Sequence, residues 1–369
     1  DLVFGPDHVA DLPALVERAR RGRLAETGWM DSEEYVFPRA DPEAARGRAT
    51  AFVAVMKGCD NVCSFCVVPH TRGREVSRPF PEVVAECAAL ASVGVREVTL
   101  IGQNVNSYRG GCDFSALLRR VAAVPGVARV RFTTSHPRDL SDALVAAVGE
   151  EPRVMPHFHL PVQSGSDPVL ARMRRDYGVG EYRERLARLR AARPGIAVTT
   201  DFIVGFPGES EADFEASLAL LEDLRFENSF SFVYSPRPHT GAARRLGSAP
   251  EWAEVPREEA VRRLERLQAA QRRIAGEILA AERGKAVEVL VEGPGEEEGW
   301  RVGRTPENRV VHLTAAGDEA PAGALVRVLV GRAGAASLSG ELVSRRGGGT
   351  PPPGTRRGEG PGLPAVLGG

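Results

Sequence analysis

At 369 residues, 43% of them apolar and 26% charged, the chain is long enough for two or three domains with sizeable cores. A net charge of −1 provides no overall field for a polyanion, and no apolar run approaches the roughly 18 residues of a membrane span, so no membrane partner is expected. Five cysteines, three of them crowded between positions 59 and 66, argue against a disulfide framework and for a metal or redox site in a reducing compartment, the cytoplasm.

In chain order, residues 1–48 offer one helix pattern, ADLPALVERARRGR, and a polar connector, too little for a domain. From Ala51 onward strands alternate with helices. AFVAVM, REVTLIG, VRFTTS, HFHLPV, IAVTTDFIVG and FSFVYS read as six strands. PEVVAECAALASVG, DFSALLRRVAAV (opened by Asp113 as N-cap), LSDALVAAVGE, two helices near 168–174 and 180–192, and EADFEASLALLEDL lie between them. This alternation predicts an α/β fold with a parallel sheet curled into a full or partial barrel, its sites gathered at the strand C-termini. A long charged helix over 256–283 follows. Five short strand patterns come next, AVEVLVEG, WRVGRT, RVVHLTA, ALVRVLVG and SLSGELV, which predict a small β-barrel. The Pro- and Gly-rich tail, residues 346–369, is expected to be disordered.

Cys59, Cys63 and Cys66 form Cys-x3-Cys-x2-Cys directly after the first strand of the α/β unit. Their neighbours Gly58, Asp60, Asn61 and Ser64 mark an exposed loop, which disfavours three core thiols. A structural zinc site needs four ligands, and His70 supplies a candidate fourth. Three thiolates fit an iron–sulfur cluster with one iron left open. Both readings stand on spacing alone, the cluster ahead. Cys87 shares the apolar face of a helix with Val83, Val84 and Ala91 and reads as core. Cys112 sits in a Gly-rich loop with no partner nearby in sequence.

The triplet resembles the signature loop of radical S-adenosylmethionine (SAM) enzymes. That resemblance implies a [4Fe-4S] cluster on Cys59, Cys63 and Cys66, whose open iron chelates SAM, and a partial (β/α)6 barrel. It also implies that Phe65 packs near the adenine. Rim segments offer further cofactor contacts: Gln103 and Asn104 in GQNVNSY, Gln163 and Ser164 in LPVQSGSD, and Asp201 and Gly205 in DFIVGFPGE. Arg175 in RMRRDY is a candidate for a bidentate grip on a carboxylate. Glu209 is expected only to complement a helix dipole, and His157 and His159 to serve as packing or supporting groups.

The stretches GCDNVCSFCVVPHTRGREVSRP, IGQNVNSY, FTTSHPRDL, HLPVQSGSDPVLARMRR and FIVGFPGE more closely resemble the methylthiotransferases, in the branch acting on tRNA. That resemblance implies insertion of a methylthio group at carbon 2 of isopentenyladenosine beside the anticodon, with tRNA, a flavodoxin- or ferredoxin-like electron donor and a sulfur donor as partners. GRTPENRVVHL resembles the TRAM module, a small RNA-binding barrel, which makes Arg301, Arg304 and Arg309 candidate phosphate contacts. The family carries three more cysteines at its N-terminus for a second, auxiliary [4Fe-4S] cluster. Residues 1–20 resemble only the last strand and helix of that part, so the chain is expected to be truncated and the auxiliary cluster to occur only in a full-length protein. The expected domains are a remnant over 1–48, a radical SAM core over 49–282 and the TRAM module over 283–345. Alternatives are a sibling acting on a ribosomal-protein aspartate, and a non-catalytic RNA-binding protein with structural zinc.

Overall fold

The structure, a computed structural model, describes residues 1–30, 35–315 and 319–345. The tail expected to be disordered lies outside the described residues. No helix among those described is long and apolar enough to cross a membrane.

The N-terminal segment is a small parallel unit of β1 (Leu2–Phe4), α1 (Leu12–Ala19) and β2 (Leu24–Glu26). Its helix is shorter than the sequence pattern suggests, because the chain turns at Arg21–Gly22 into a second strand that periodicity did not announce. The α/β unit begins with β3 (Thr50–Ala54), then β4 (Met56–Lys57), α2 (Val68–Thr71) and β5 (Val76–Ser77). It continues through α3 (Phe80–Ser92), β6 (Glu97–Ile101), α4 (Phe114–Ala122), β7 (Arg129–Phe132), α5 (Asp142–Glu150) and β8 (His157–His159). Then come α6 (Asp167–Met173), α7 (Val179–Ala192), β9 (Ala197–Val204), α8 (Glu211–Leu224), β10 (Asn228–Val233) and α9 (Gly241–Arg245). Asp113 caps α4 as predicted, its carboxylate accepting from the Ala116 N–H. Ser210 and Asp213 form a reciprocal capping box at the start of α8.

The six main strands run parallel in two sheets, β3–β6–β7 and β8–β9–β10, joined at the bridge between Val130 and Val154. β3 and β10 each pair on one side only, so the barrel is partial and open between them. Val53, Leu100, Val130, Phe158 and Val198 pack beneath the helices in one core, each fully buried aliphatic or aromatic side chain adding ~2 kcal/mol. On the open side Phe52, Phe230 and Phe232 remain 68%, 51% and 56% exposed.

After α10 (Arg257–Ala280), a second core forms inside a closed barrel of β11 (Ala286–Pro294), β12 (Trp300–Arg304), β13 (Val310–Thr314), β14 (Leu325–Ala333) and β15 (Ser337–Arg345). Val289 and Val291, Val311 and Leu313, and Val326 and Val328 alternate into it with period two. Gly303 and Gly340 let strands approach closely, since a Cβ there would stand 2.2 Å from the Leu290 carbonyl oxygen and 2.0 Å from that of Leu329.

The small barrel seats against the N-terminal ends of the parallel strands, the mouth opposite the cysteines. Arg129, the first residue of β7, donates to the Arg304 carbonyl at 2.8 Å. Arg131 donates to the carbonyls of Thr305 and Pro306, both at 2.8 Å, while its Nε lies 3.0 Å from Glu97. Between the two barrels lies a cavity of about 820 Å³, lined by Thr99, His157, His159 and Phe230 on one side and Arg304 and Asn308 on the other.

Candidate active site at the cysteine rim

Gly58 turns the chain out of β4 at φ 75°, where a Cβ would fall 2.0 Å from the Arg74 carbonyl oxygen. Only glycine tolerates both the dihedral and the contact. The β4–β5 hairpin closes the loop at its base, and the Cys59 N–H reaches the Gly73 carbonyl at 3.2 Å. Ser64 pins the middle: its N–H donates to the Met173 carbonyl at 2.9 Å, its hydroxyl to the Arg172 carbonyl at 2.7 Å, and its own carbonyl accepts from Ala242. The loop is therefore held by the end of α6 and the start of α9, with all three thiols half-buried.

Burial pushes the Cys59 thiol up to about 11 and raises that of Cys66 as well. Without metal these sulfurs keep their protons at neutral pH, so loading a metal centre must displace them. Donors already face two of the sulfurs. Asn61 Nδ2 lies 3.4 Å from Cys59 Sγ, and an Arg175 guanidinium N–H lies 3.3 Å from Cys63 Sγ. His136 Nε2 stands 4.0 Å from the same Cys63 Sγ. N–H groups aimed at sulfur suit thiolates bound to iron, so the donor set fits a cluster. A single zinc ion is fitted less well. Among the described residues no three Cys, His, Asp or Glu side chains gather around one point, and His70 is exposed beside His239.

The other expected contacts sort into two groups. Gln103 Oε1 accepts from the Gly58 N–H at 2.7 Å and so fixes the turn into the loop. Asn104 donates to Asp139 at 2.8 Å, leaving its buried Oδ1 without a partner, a feature a bound ligand would resolve. Gln163, four residues past the end of β8, is bridged to Phe202 at φ 76°, and Gly205 directly follows β9 at φ 67°. Asp201 lies 3.5 Å from His159. Phe65 is half-buried and packs with Val169, Met173 and Phe206. Gln103, Asn104, Gln163, Gly205 and Phe65 lie in the loops that follow the strands, whereas Asp201 sits in the middle of β9 facing His159.

Ser164, Arg175, Glu209 and Arg309 are engaged elsewhere than expected. The Ser164 hydroxyl is fully buried and bonded to Ser217 at 3.3 Å, tying the β8 loop to α8 instead of facing the rim. The three guanidinium nitrogens of Arg175 go to Cys63, Tyr177 and the Pro161 carbonyl, leaving no free fork for a carboxylate. Glu209 precedes the N-cap Ser210 and is no dipole decoration: it accepts from the Gly205 N–H at 2.7 Å and from buried Arg263 at 2.9 Å. Arg309 grips Glu227 in bidentate fashion at 2.6 and 3.1 Å and reaches Glu282 at 3.1 Å. It is a clamp between barrels, whereas Arg304 pairs with Glu292 at 3.1 Å and stays partly open, and the Arg301 guanidinium donates to the Trp300 carbonyl at 3.4 Å. His136, Asn61 and Tyr177 were missed as site residues. TTSHP and RMRRDY contain two of them, but nothing local shows that they converge on Cys63.

Comparison with known proteins bears on this geometry. The Radical SAM superfamily pattern matches residues 53–221, which include the cysteine loop, the end of β3 and all of β6, β7, β8 and β9. The chain is 78% identical over 343 residues to tRNA-2-methylthio-N(6)-dimethylallyladenosine synthase of Anaeromyxobacter sp. (strain K), covering 93% of this chain and 74% of that protein. The chain belongs to this family of radical SAM enzymes. The enzyme of the same name from Myxococcus xanthus (strain DK1622) is 62% identical over 347 residues, again covering 93% of this chain and 74% of the relative. Among solved structures, coproporphyrinogen III oxidase from Escherichia coli is similar at TM-score 0.48 and 14% identity, over 78% of this chain and 69% of that one. Family membership brings a [4Fe-4S] cluster and SAM as cofactors.

Proposed function

We propose that the chain methylthiolates carbon 2 of N6-dimethylallyladenosine beside the anticodon of tRNA, in the cytoplasm. The observation that carries this is 78% identity, over 93% of the chain, to an enzyme named for that product, together with a rim whose three thiols fit the cluster the chemistry needs. In this reading Cys59, Cys63 and Cys66 hold the [4Fe-4S] cluster. When bound, the cluster supplies the electron that cleaves SAM, and the resulting radical activates the adenine C–H bond. The chain's own residues position and shield. Gly58 and Gln103 set the loop, Phe65 offers an apolar wall, Gln163 and Gly205 bring a polar group and bare backbone past the strand ends where SAM is expected, and Asp201 adds a carboxylate from within β9.

The base enters, in our reading, from the open side between β3 and β10. The exposed rings of Phe52, Phe230 and Phe232 there suit stacking on a base and contact with its five-carbon apolar substituent. Arg301 and Arg304 of the small barrel, residues 283–345, remain the phosphate contacts we propose. Residues 49–282 form the catalytic unit. A flavodoxin- or ferredoxin-like protein supplies electrons, and a separate donor supplies sulfur.

Mass spectrometry of tRNA nucleosides from a strain lacking the gene tests the reading. The methylthio group should disappear while isopentenyladenosine accumulates, with restoration by the wild-type gene but not by Cys63→Ala. Unchanged nucleosides alongside an altered ribosomal protein would point to the sibling activity and overturn it.

A further inference from the structure

The three thiols are not treated alike by their surroundings, and the difference centres on Cys63. Arg175 is only 4% exposed, yet among the described residues no Asp or Glu pairs with its charge. A buried cation needs an anion or full hydrogen bonding. Nε donates to Tyr177 Oη at 2.9 Å and one Nη donates to the Pro161 carbonyl at 3.0 Å, which aims the other at Cys63 Sγ. Tyr177 is itself fixed, its hydroxyl lying 3.0 Å from the Val162 carbonyl. The residues on either side, Arg174 and Asp176, hold left-handed backbone at φ 57° and 54°. Two strained non-glycine positions flanking one residue are the kind of local cost that functional placement explains.

A second N–H approaches the same sulfur. His136 Nδ1 accepts from the Arg138 backbone N–H at 3.2 Å, so the ring proton resides on Nε2, the atom 4.0 Å from Cys63 Sγ. The ring is held edge-on against Tyr177, with centroids 5.8 Å apart. Arg175, Tyr177 and His136 therefore form one packed group around one thiol.

We propose that Arg175 and His136 are positioning residues that act through Cys63, placing a fixed positive charge and N–H donors on this sulfur and thereby raising the reduction potential of the cluster it helps hold. Reduction adds one negative charge to the cluster, and a neighbouring cation with sulfur-directed donors favours the more negative state. The inference rests on the assignment of Cys63 as a cluster ligand.

The test is a redox titration of the anaerobically reconstituted chain, followed by electron paramagnetic resonance, with iron and sulfide content measured alongside. Arg175→Gln should retain wild-type iron while holding about tenfold less reduced cluster at a fixed ambient potential, a shift of about 59 mV for one electron. His136→Phe should shift in the same direction by less. Arg175→Lys, which keeps the charge but not the planar fork, should fall between wild type and Arg175→Gln. An unchanged or raised midpoint in iron-replete Arg175→Gln and His136→Phe overturns the proposal. Should Arg175→Gln fail to hold iron, Arg175→Lys and His136→Phe decide by the same criterion. A wild-type cluster signal in Cys63→Ala would instead overturn the ligand assignment, a separable failure.

Discussion

His157 illustrates how the space between the two barrels acts on a single side chain. Burial, with the charge of Arg131 close by, pushes its imidazole down to about 3. In the unfolded chain the same ring titrates near 6.5. Between those values the unfolded state takes up a proton that the folded state refuses, so stability falls as pH drops from about 6.5 toward 3. His157→Asn removes that uptake, and its thermal midpoint should fall less steeply than wild type over this window; equal slopes would show that His157 is not responsible. At this scale the cysteine triplet was legible because its members lie within eight positions. The engagement of Arg175 was not, because its sulfur partner lies 112 residues away in sequence. Nor could composition show that Ser164 faces Ser217 or that Arg309 is spent on Glu227, since both pairings exist only once elements meet.

Elements of ordinary length followed from pattern. EADFEASLALLEDL became α8 without a residue's difference, and the five C-terminal runs became the five strands of the closed barrel. The β4–β5 hairpin escaped notice because strands of two residues carry no period, although it is what closes the cysteine loop. The junction between barrels is likewise a contact between elements distant in sequence: the turn after β12 meets β7, and Arg309 meets Glu227 ahead of β10. With the Arg309 and Glu227 side chains only 13% and 16% exposed, Arg309→Ala leaves Glu227 without its bidentate partner, while Glu282 keeps Lys285. It should destabilise the fold by about 2–3 kcal/mol, somewhat under the range for a fully buried pair broken on one side. Arg309→Lys should recover only part of that, because an ammonium cannot match the bidentate fork. Denaturant unfolding of the two variants measures both effects, and a stability equal to wild type in Arg309→Ala would remove the clamp from the account.

Across the whole molecule the two barrels divide the work by position. The thiols occupy the rim at the strand C-termini, the small barrel closes the opposite mouth, and the partial barrel leaves a lateral opening edged by β3 and β10. Alternation of strands and helices foretold the rim and the second barrel; it could not say which mouth the second barrel covers, because that depends on Arg129, Arg131 and Glu97 meeting a turn some 175 residues onward. In the function proposed above, the cysteine loop at the rim holds the cluster, and Cys87, fully buried in the core, is a bystander. The most direct measurement is 5′-deoxyadenosine released from SAM by the anaerobically reconstituted, dithionite-reduced chain. Wild type and Cys87→Ala should both release it, and Cys59→Ala, Cys63→Ala and Cys66→Ala should each fall to background. A wild-type chain that binds zinc without iron and releases none, or a Cys63→Ala variant that releases as much as wild type, would contradict the account.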